Sequence, residues 1–184
     1  MKKMIYALIA VVTVLFSNNA FAQSTKIFMN MGNEIKGSAT EEAFQNNLKI
    51  LSYSQGASSC SQVASKGTSA ACKVSSSDFN FMMEMDKSII KLKEYMYNGK
   101  TIPLVIISFV KPSSNTHPAI YYKITLTNVI LSALQESSGS EIPTISFSLS
   151  PTSIAWEYFE QNSDGTQNPD PLKFSWDLGK SRSF

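Results

Sequence analysis

Few side chains in this sequence combine the type and spacing that chemistry needs. Cys60 and Cys72 lie twelve positions apart, and the single histidine, His117, sits in Ser113-Ser114-Asn115-Thr116-His117-Pro118, a composition that marks a hairpin or loop tip. A zinc site asks for several Cys or His ligands at short spacing, so two distant thiols and one remote imidazole do not make one. A Cys–His nucleophilic pair needs a thiolate, and pairing of the two cysteines with each other would leave none. The adjacent carboxylates Glu41-Glu42 could serve glycoside cleavage. They follow Gly37-Ser38-Ala39-Thr40, however, where adjacent acids more often cap or edge a solvated turn.

The familiar reactive loops are missing as well. No Gly-rich phosphate loop follows a strand pattern, no G-x-S-x-G elbow occurs, and Lys and Arg do not interleave with aromatics into a stripe. No catalytic, cofactor-binding or metal-ligating residue is assigned, no cofactor is expected, and the chain is read as one that works through its surface.

The elements that would position any site begin with an export signal. Lys2 and Lys3 precede an apolar run from Met4 to Phe16, and Ala20-Phe21-Ala22 has the small-x-small form that a signal peptidase cuts. The run is too short for the roughly 20 residues a membrane-crossing helix needs, so no stable membrane insertion is expected. Residues 1–22 are therefore read as a secretory signal peptide, cut between Ala22 and Gln23, and residues 23–184 as one domain destined for the periplasm or the exterior. An uncleaved anchor is the alternative. Without Lys2 and Lys3 the 16 basic residues fall to 14, equal to the 14 acidic ones, which removes any electrostatic reason to expect nucleic acid as a partner. Passage through an oxidising compartment makes a Cys60–Cys72 disulfide the expectation, with two free thiols as the alternative; closing such a loop stabilises by about 3 kcal/mol on chain-entropy grounds.

Alternation dominates the remainder of the chain. Phe79, Phe81, Met83 and Met85 alternate with polar residues apart from Met82, and the same period appears in Tyr122-Ile124-Leu126, Ile145-Phe147-Leu149 and Ile154-Trp156-Tyr158. More continuous apolar runs at Ile27 to Met31, Ile102 to Val110 and Asn128 to Leu134 read as further strands, and Lys173 to Leu178 as the closing one. The aromatics Phe79, Phe81, Phe147, Trp156 and Trp176 fall on the apolar phase and are assigned to the core. Lys87 to Asn98 breaks the pattern: Ile89, Leu92 and Met96 recur at helical spacing, with Asp86 suited to the N-cap and Gly99 to the C-terminal cap. Gln55 to Ser77 and Gln161 to Leu172 read as loops. Many short strands and one helix predict a mainly β fold, a β-barrel with one flanking α-helix, because closure removes unpaired edges.

The order of motifs carries a resemblance. Lys26-Ile27-Phe28-Met29-Asn30-Met31, the Glu34-to-Gly37 turn, Leu48 to Gly56, Asp78-Phe79-Asn80-Phe81, Asp86-Lys87-Ser88, Asn98-Gly99-Lys100, Tyr122 to Leu126 and Phe174 to Leu178 occur in sequence over nearly all of residues 23–184. In this the chain resembles the Hcp family of type VI secretion tube subunits. The resemblance implies a barrel of two sheets with a flanking helix, a homohexameric ring, stacked rings, a VgrG-type spike and effector proteins as partners. It makes the Gln55-to-Ser77 loop the candidate for reaching a neighbouring subunit, with Gln55, Gly56, Lys66 and Lys73 as candidate contacts; a surface flap is the alternative. The signal peptide departs from the family pattern, and leaves open an exported binding module that never assembles in a sheath.

Overall fold

The computed structural model describes residues 25–59, 74–111, 119–139, 141–160 and 167–184. In chain order these form β1 (Lys26–Asn30), a short 3-10 turn (Glu42–Phe44), β2 (Leu48–Ser54), β3 (Ala57–Ser58), β4 (Ser75–Ser76), β5 (Phe79–Glu84), α1 (Ile89–Asn98), β6 (Ile102–Lys111), β7 (Ala119–Ser137), β8 (Thr144–Ser150), β9 (Ser153–Tyr158), β10 (Leu172–Asp177) and β11 (Arg182–Ser183).

Six antiparallel strands close a barrel in the order β7-β6-β1-β2-β5-β8, with β8 returning to β7. Closure depends on the length of β7. Up to Val129 it pairs with β6, and from Ile130 to Ser137 it pairs with β8. The segments Tyr122 to Thr127 and Asn128 to Leu134, expected as separate strands, are thus one strand. Asn128, at the exchange of partners, has φ +48°, and the register slips between Leu131 and Ala133. A left-handed residue followed by a bulge bends a strand without ending it, which carries β7 round the corner of the barrel.

The interior is built as the alternation requires. β5 buries Phe79, Phe81 and Met83 and exposes Asn80, Met82 and Glu84, and its neighbour β8 buries Ile145, Phe147 and Leu149. Phe81 and Phe147 face each other across that pair, ring centroids 5.4 Å apart. Each such side chain contributes roughly 1.5–3 kcal/mol by leaving water. The helix adds Ile89, Leu92 and Tyr95 to the same core.

The C-terminal end of α1 is set by the glycine picked out for it, whereas the N-cap is Ser88 and not the expected Asp86. Gly99 takes φ +59°, and the N–H groups of Gly99 and Lys100 bond to the carbonyls of Met96 and Tyr95, the arrangement a left-handed C-terminal glycine makes possible. At the other end the helix starts at Ile89, two residues later than expected. Ser88 occupies the cap position, while the Asp86 carboxylate accepts the Ser88 N–H at 2.9 Å and the distant Ser38 N–H at 2.8 Å. On the exposed side Glu94 accepts from Lys91 (2.7 Å) and Lys100 (2.6 Å), and the Lys100 and Lys91 hydrogen bonds hold its carboxyl down to about 2.

Beyond the barrel, β9, β10 and β11 extend the sheet outward from the edge of β7 at Tyr122 to Thr127, forming a three-stranded wing. A second, two-stranded sheet pairs β3 with β4 at the base of the segment expected as a loop from Gln55 to Ser77. The mainly β barrel with one flanking helix is therefore present as expected, and the small β3–β4 sheet is an addition within the segment read as a loop.

Candidate functional site

The residues with reactive potential do not converge. Ala22, Gln23, Cys60, Lys66, Cys72, Lys73 and His117 lie outside the described residues, and with them the expected cleavage point and disulfide. Glu41 stands between Lys26 and Lys49, 3.4 Å from each, while Glu42 opens the 3-10 turn. Burial raises the Glu41 carboxyl, but backbone hydrogen bonding and the Lys49 and Lys26 ammoniums outweigh it and hold it below the ordinary range. A carboxylate neutralised by two lysines is a surface ion cluster rather than an acid/base dyad. Among the described residues no group of three or more His, Cys, Asp or Glu is placed to hold a metal ion.

What the fold does organise is surface. On the outside of β2, β5, β8 and the far half of β7, Ser52, Ser54, Asn80, Gln135, Ser146 and Ser148 line a shallow groove of about 350 Å³, with the exposed Met82 and Ala133 among them. Strand alternation puts them there, because their neighbours Phe79, Phe81, Ile145 and Phe147 fill the barrel. The Ser148 hydroxyl donates to Asn80 Oδ1 at 2.7 Å, and nearby Ser132 donates to Asp78 Oδ2 at 2.6 Å. Apart from Met82 and Ala133 the groove is lined by small neutral hydroxyls and amides, which wet readily and carry no charge of their own.

The neck of the long loop is tied within the chain. The Gln55 side-chain amide donates to the Gly56 carbonyl at 2.9 Å and to Ser76 Oγ at 3.1 Å. The Gly56 N–H donates to Ser77 Oγ, and the Ser77 N–H returns to the Gly56 carbonyl, each at 2.9 Å. Gln55 and Gly56 therefore hold the two ends of the loop together before the short β3–β4 ladder begins.

The wing has two unlike faces. Register pairs Phe174 with Trp156 and Trp176 with Ile154 on one side, and Lys173 with Glu157 and Ser175 with Ala155 on the other. Trp156 and Phe174 stack with centroids 5.5 Å apart, and Phe174 reaches Trp176 at 6.2 Å. A cleft of about 200 Å³ separates this aromatic face from Ala57, Val74 and Ser76 at the loop neck. On the polar face Glu157 joins Lys123 and, at 3.7 Å, Lys173. Trp156 and Trp176, expected in the core, are only half-buried here. Alternation marks correctly which side chains share a face. It carries no information on what covers that face, so nothing in the sequence separates the wing from the barrel.

No described helix is long and apolar enough to cross a membrane. The family described as type VI secretion system effector, Hcp, matches residues 28–158, from β1 to the end of β9. Protein hcp1 of Pseudomonas aeruginosa is 25% identical over 154 residues, covering 83% of this chain and 94% of its own length. Among solved structures, a type VI secretion system protein aligns with a TM-score of 0.78 at 17% identity, over 88% of this chain and 100% of that one. Hcp1 from Salmonella typhimurium aligns with a TM-score of 0.68 at 21% identity, over 88% and 99%. At these identities the structural likeness concerns the fold.

Proposed function

Because the chain belongs to the Hcp family of type VI secretion, we propose that residues 23–184 act as a ring-forming tube subunit that also carries effector proteins. The observation that carries this reading is the neutral groove of Ser52, Ser54, Asn80, Gln135, Ser146 and Ser148 on an otherwise complete barrel. A tube that must pass varied cargo needs a lumen wall without strong charge or large apolar patches, and this face, hydroxyl and amide groups interrupted by Met82 and Ala133, carries no charged side chain in the groove. Six copies in a closed ring would turn that face inward. The loop neck at Gln55 and Gly56 would then present Lys66 and Lys73 toward a neighbouring subunit or ring, and a VgrG-type spike would cap the stack. The protein works by surface complementarity, without catalysis.

Native mass spectrometry of the chain starting at Gln23 tests this directly. Six-subunit species, and stacked multiples of them at higher concentration, are expected; a strict monomer at every concentration overturns the ring.

A second reading is favoured by one observation, the segment Lys2-Lys3, Met4 to Phe16 and Ala20-Phe21-Ala22. An export signal takes the chain across the inner membrane on its own, so the domain would serve outside a sheath as a periplasmic or extracellular binding module. Secretion that persists when the contractile apparatus is deleted, yet stops when residues 2–22 are removed, selects this reading over the first.

A further inference from the structure

We propose that the outer edge of β10 takes up an extended segment of another polypeptide as an added strand, one that alternates apolar and acidic residues. The starting point is backbone. β10 pairs with β9 along all of Leu172 to Asp177, but on its other edge β11 covers only Trp176 and Asp177, with the Ser175 hydroxyl reaching the Phe184 carbonyl. Among the described residues, no strand pairs with that edge at Leu172, Lys173 and Phe174. N–H and C=O groups in a row at an unpaired edge match one kind of ligand, another extended main chain.

Side chains then fix the sequence such a strand carries. Leu172 and Phe174 share a face and are 65% and 54% exposed, a large apolar area beside the cleft that Trp156, Trp176 and Leu178 form with the loop neck. Residues of an added strand lying opposite Leu172 and Phe174 would cover both and reach that cleft, so they are apolar. Between them Lys173 points to the polar face. Its side chain is 60% exposed and its ammonium lies 3.7 Å from Glu157, a carboxylate already held by Lys123. An acidic residue opposite Lys173 supplies a carboxylate that it need not share.

A second copy of β10 does not meet these requirements. Pairing antiparallel with itself so that Leu172 meets Phe174 sets Lys173 against Lys173, and a shift by one residue sets Phe174 against Lys173. A shift by two needs either Trp176, whose edge β11 already covers, opposite Leu172 or Asp170 opposite Phe174. The strands β3 and β4 are two residues each, too short to cover the edge. The occupant is a different chain, and its docking does not depend on whether the protein forms a ring.

Both tryptophans of the chain, Trp156 and Trp176, lie in the wing, so tryptophan emission, excited to the red of tyrosine absorption, reports on it alone. The probe is a synthetic capped hexapeptide of alternating valine and glutamate, titrated into the protein from Gln23 onward, with the oligomeric state followed by light scattering in the same samples. Expected are a saturable blue shift of emission, binding weakened roughly tenfold by Lys173→Glu, and a reversed preference of that variant for a valine–lysine peptide. Circular dichroism checks that the variant is folded. The proposal is overturned by an unchanged emission, by equal binding of a valine–proline peptide that cannot donate to the edge, by indifference to Lys173→Glu, or by a shift that follows protein concentration without peptide. A ring that ignores the peptide sinks only the strand docking, and a monomer that binds it sinks only the ring.

Discussion

Phe174 lies almost parallel to Trp156 across the β9–β10 ladder, its ring plane turned by 12°, and yet remains more than half exposed. The pair extends outward from the barrel core, against which Trp156 packs. Phe174→Ala is expected to cost about 1 kcal/mol, the worth of an aromatic pair at such a site. Tryptophan emission should move to the red while the barrel remains folded by circular dichroism; an unchanged emission maximum would show that the stack does not shield Trp156.

Asn128 is the pivot of β7, and its φ of +48° is one that β-branched side chains resist. Asn128→Val should lower unfolding stability by about 2 kcal/mol, whereas Asn128→Gly should leave it within about 0.5 kcal/mol. Urea denaturation midpoints separate the two. Equal loss in both variants would mean that the asparagine side chain, and not the backbone angle, holds the corner.

Gly37 has no room for a side chain, because a Cβ there would stand 2.3 Å from the Asn47 carbonyl oxygen and 2.6 Å from Leu48 Cα. Both are backbone atoms on the approach to β2, which cannot swing aside. Gly37→Ala is predicted to cost about 3 kcal/mol through forced backbone displacement. A thermal midpoint equal to that of the parent would refute the close approach.

The Glu94 carboxyl, held at about 2 by Lys100 and Lys91, starts from an ordinary value of 4.5 in the unfolded chain. A depressed acid stabilises the fold above its unfolded value, and that contribution is lost as pH falls toward the folded one. Glu94→Gln should therefore flatten the decline of thermal midpoint between about pH 4.5 and pH 2. Parallel curves for parent and variant over that window would contradict the assignment.

Tyr53 answers at the other end of the scale. Burial, reinforced by Tyr122, pushes its phenol from 10.0 up to about 12. A raised acid contributes stability that is complete below the unfolded value and lost as pH rises through the folded one. Tyr53→Phe should remove part of the alkaline loss between about pH 10 and pH 12, read from denaturation midpoints at stepped pH.

Much of the barrel was legible in the order of residues, because a strand with one wet face writes its period into the chain. Phe79-Asn80-Phe81 and Ile145-Ser146-Phe147 named their buried and exposed members correctly, and Gly99 marked the end of α1 by a backbone angle few other residues accept. The start of the helix was less visible: the Asp86 carboxylate is shared with Ser38, a partner 48 residues away.

Period and propensity are local, so by itself the sequence determined which segments extend, which one coils, and which side chains share a face. Partners are global, and only the tertiary structure decided them. It joined two expected strands into β7 through the left-handed Asn128, closed six strands into a ring of hydrogen bonds, and left three strands of the same sheet and the separate β3–β4 pair outside. The same alternation that buries Phe147 leaves Phe174 in water. A strand's pattern records that one face is apolar, and the path of the rest of the chain decides whether anything lies against it.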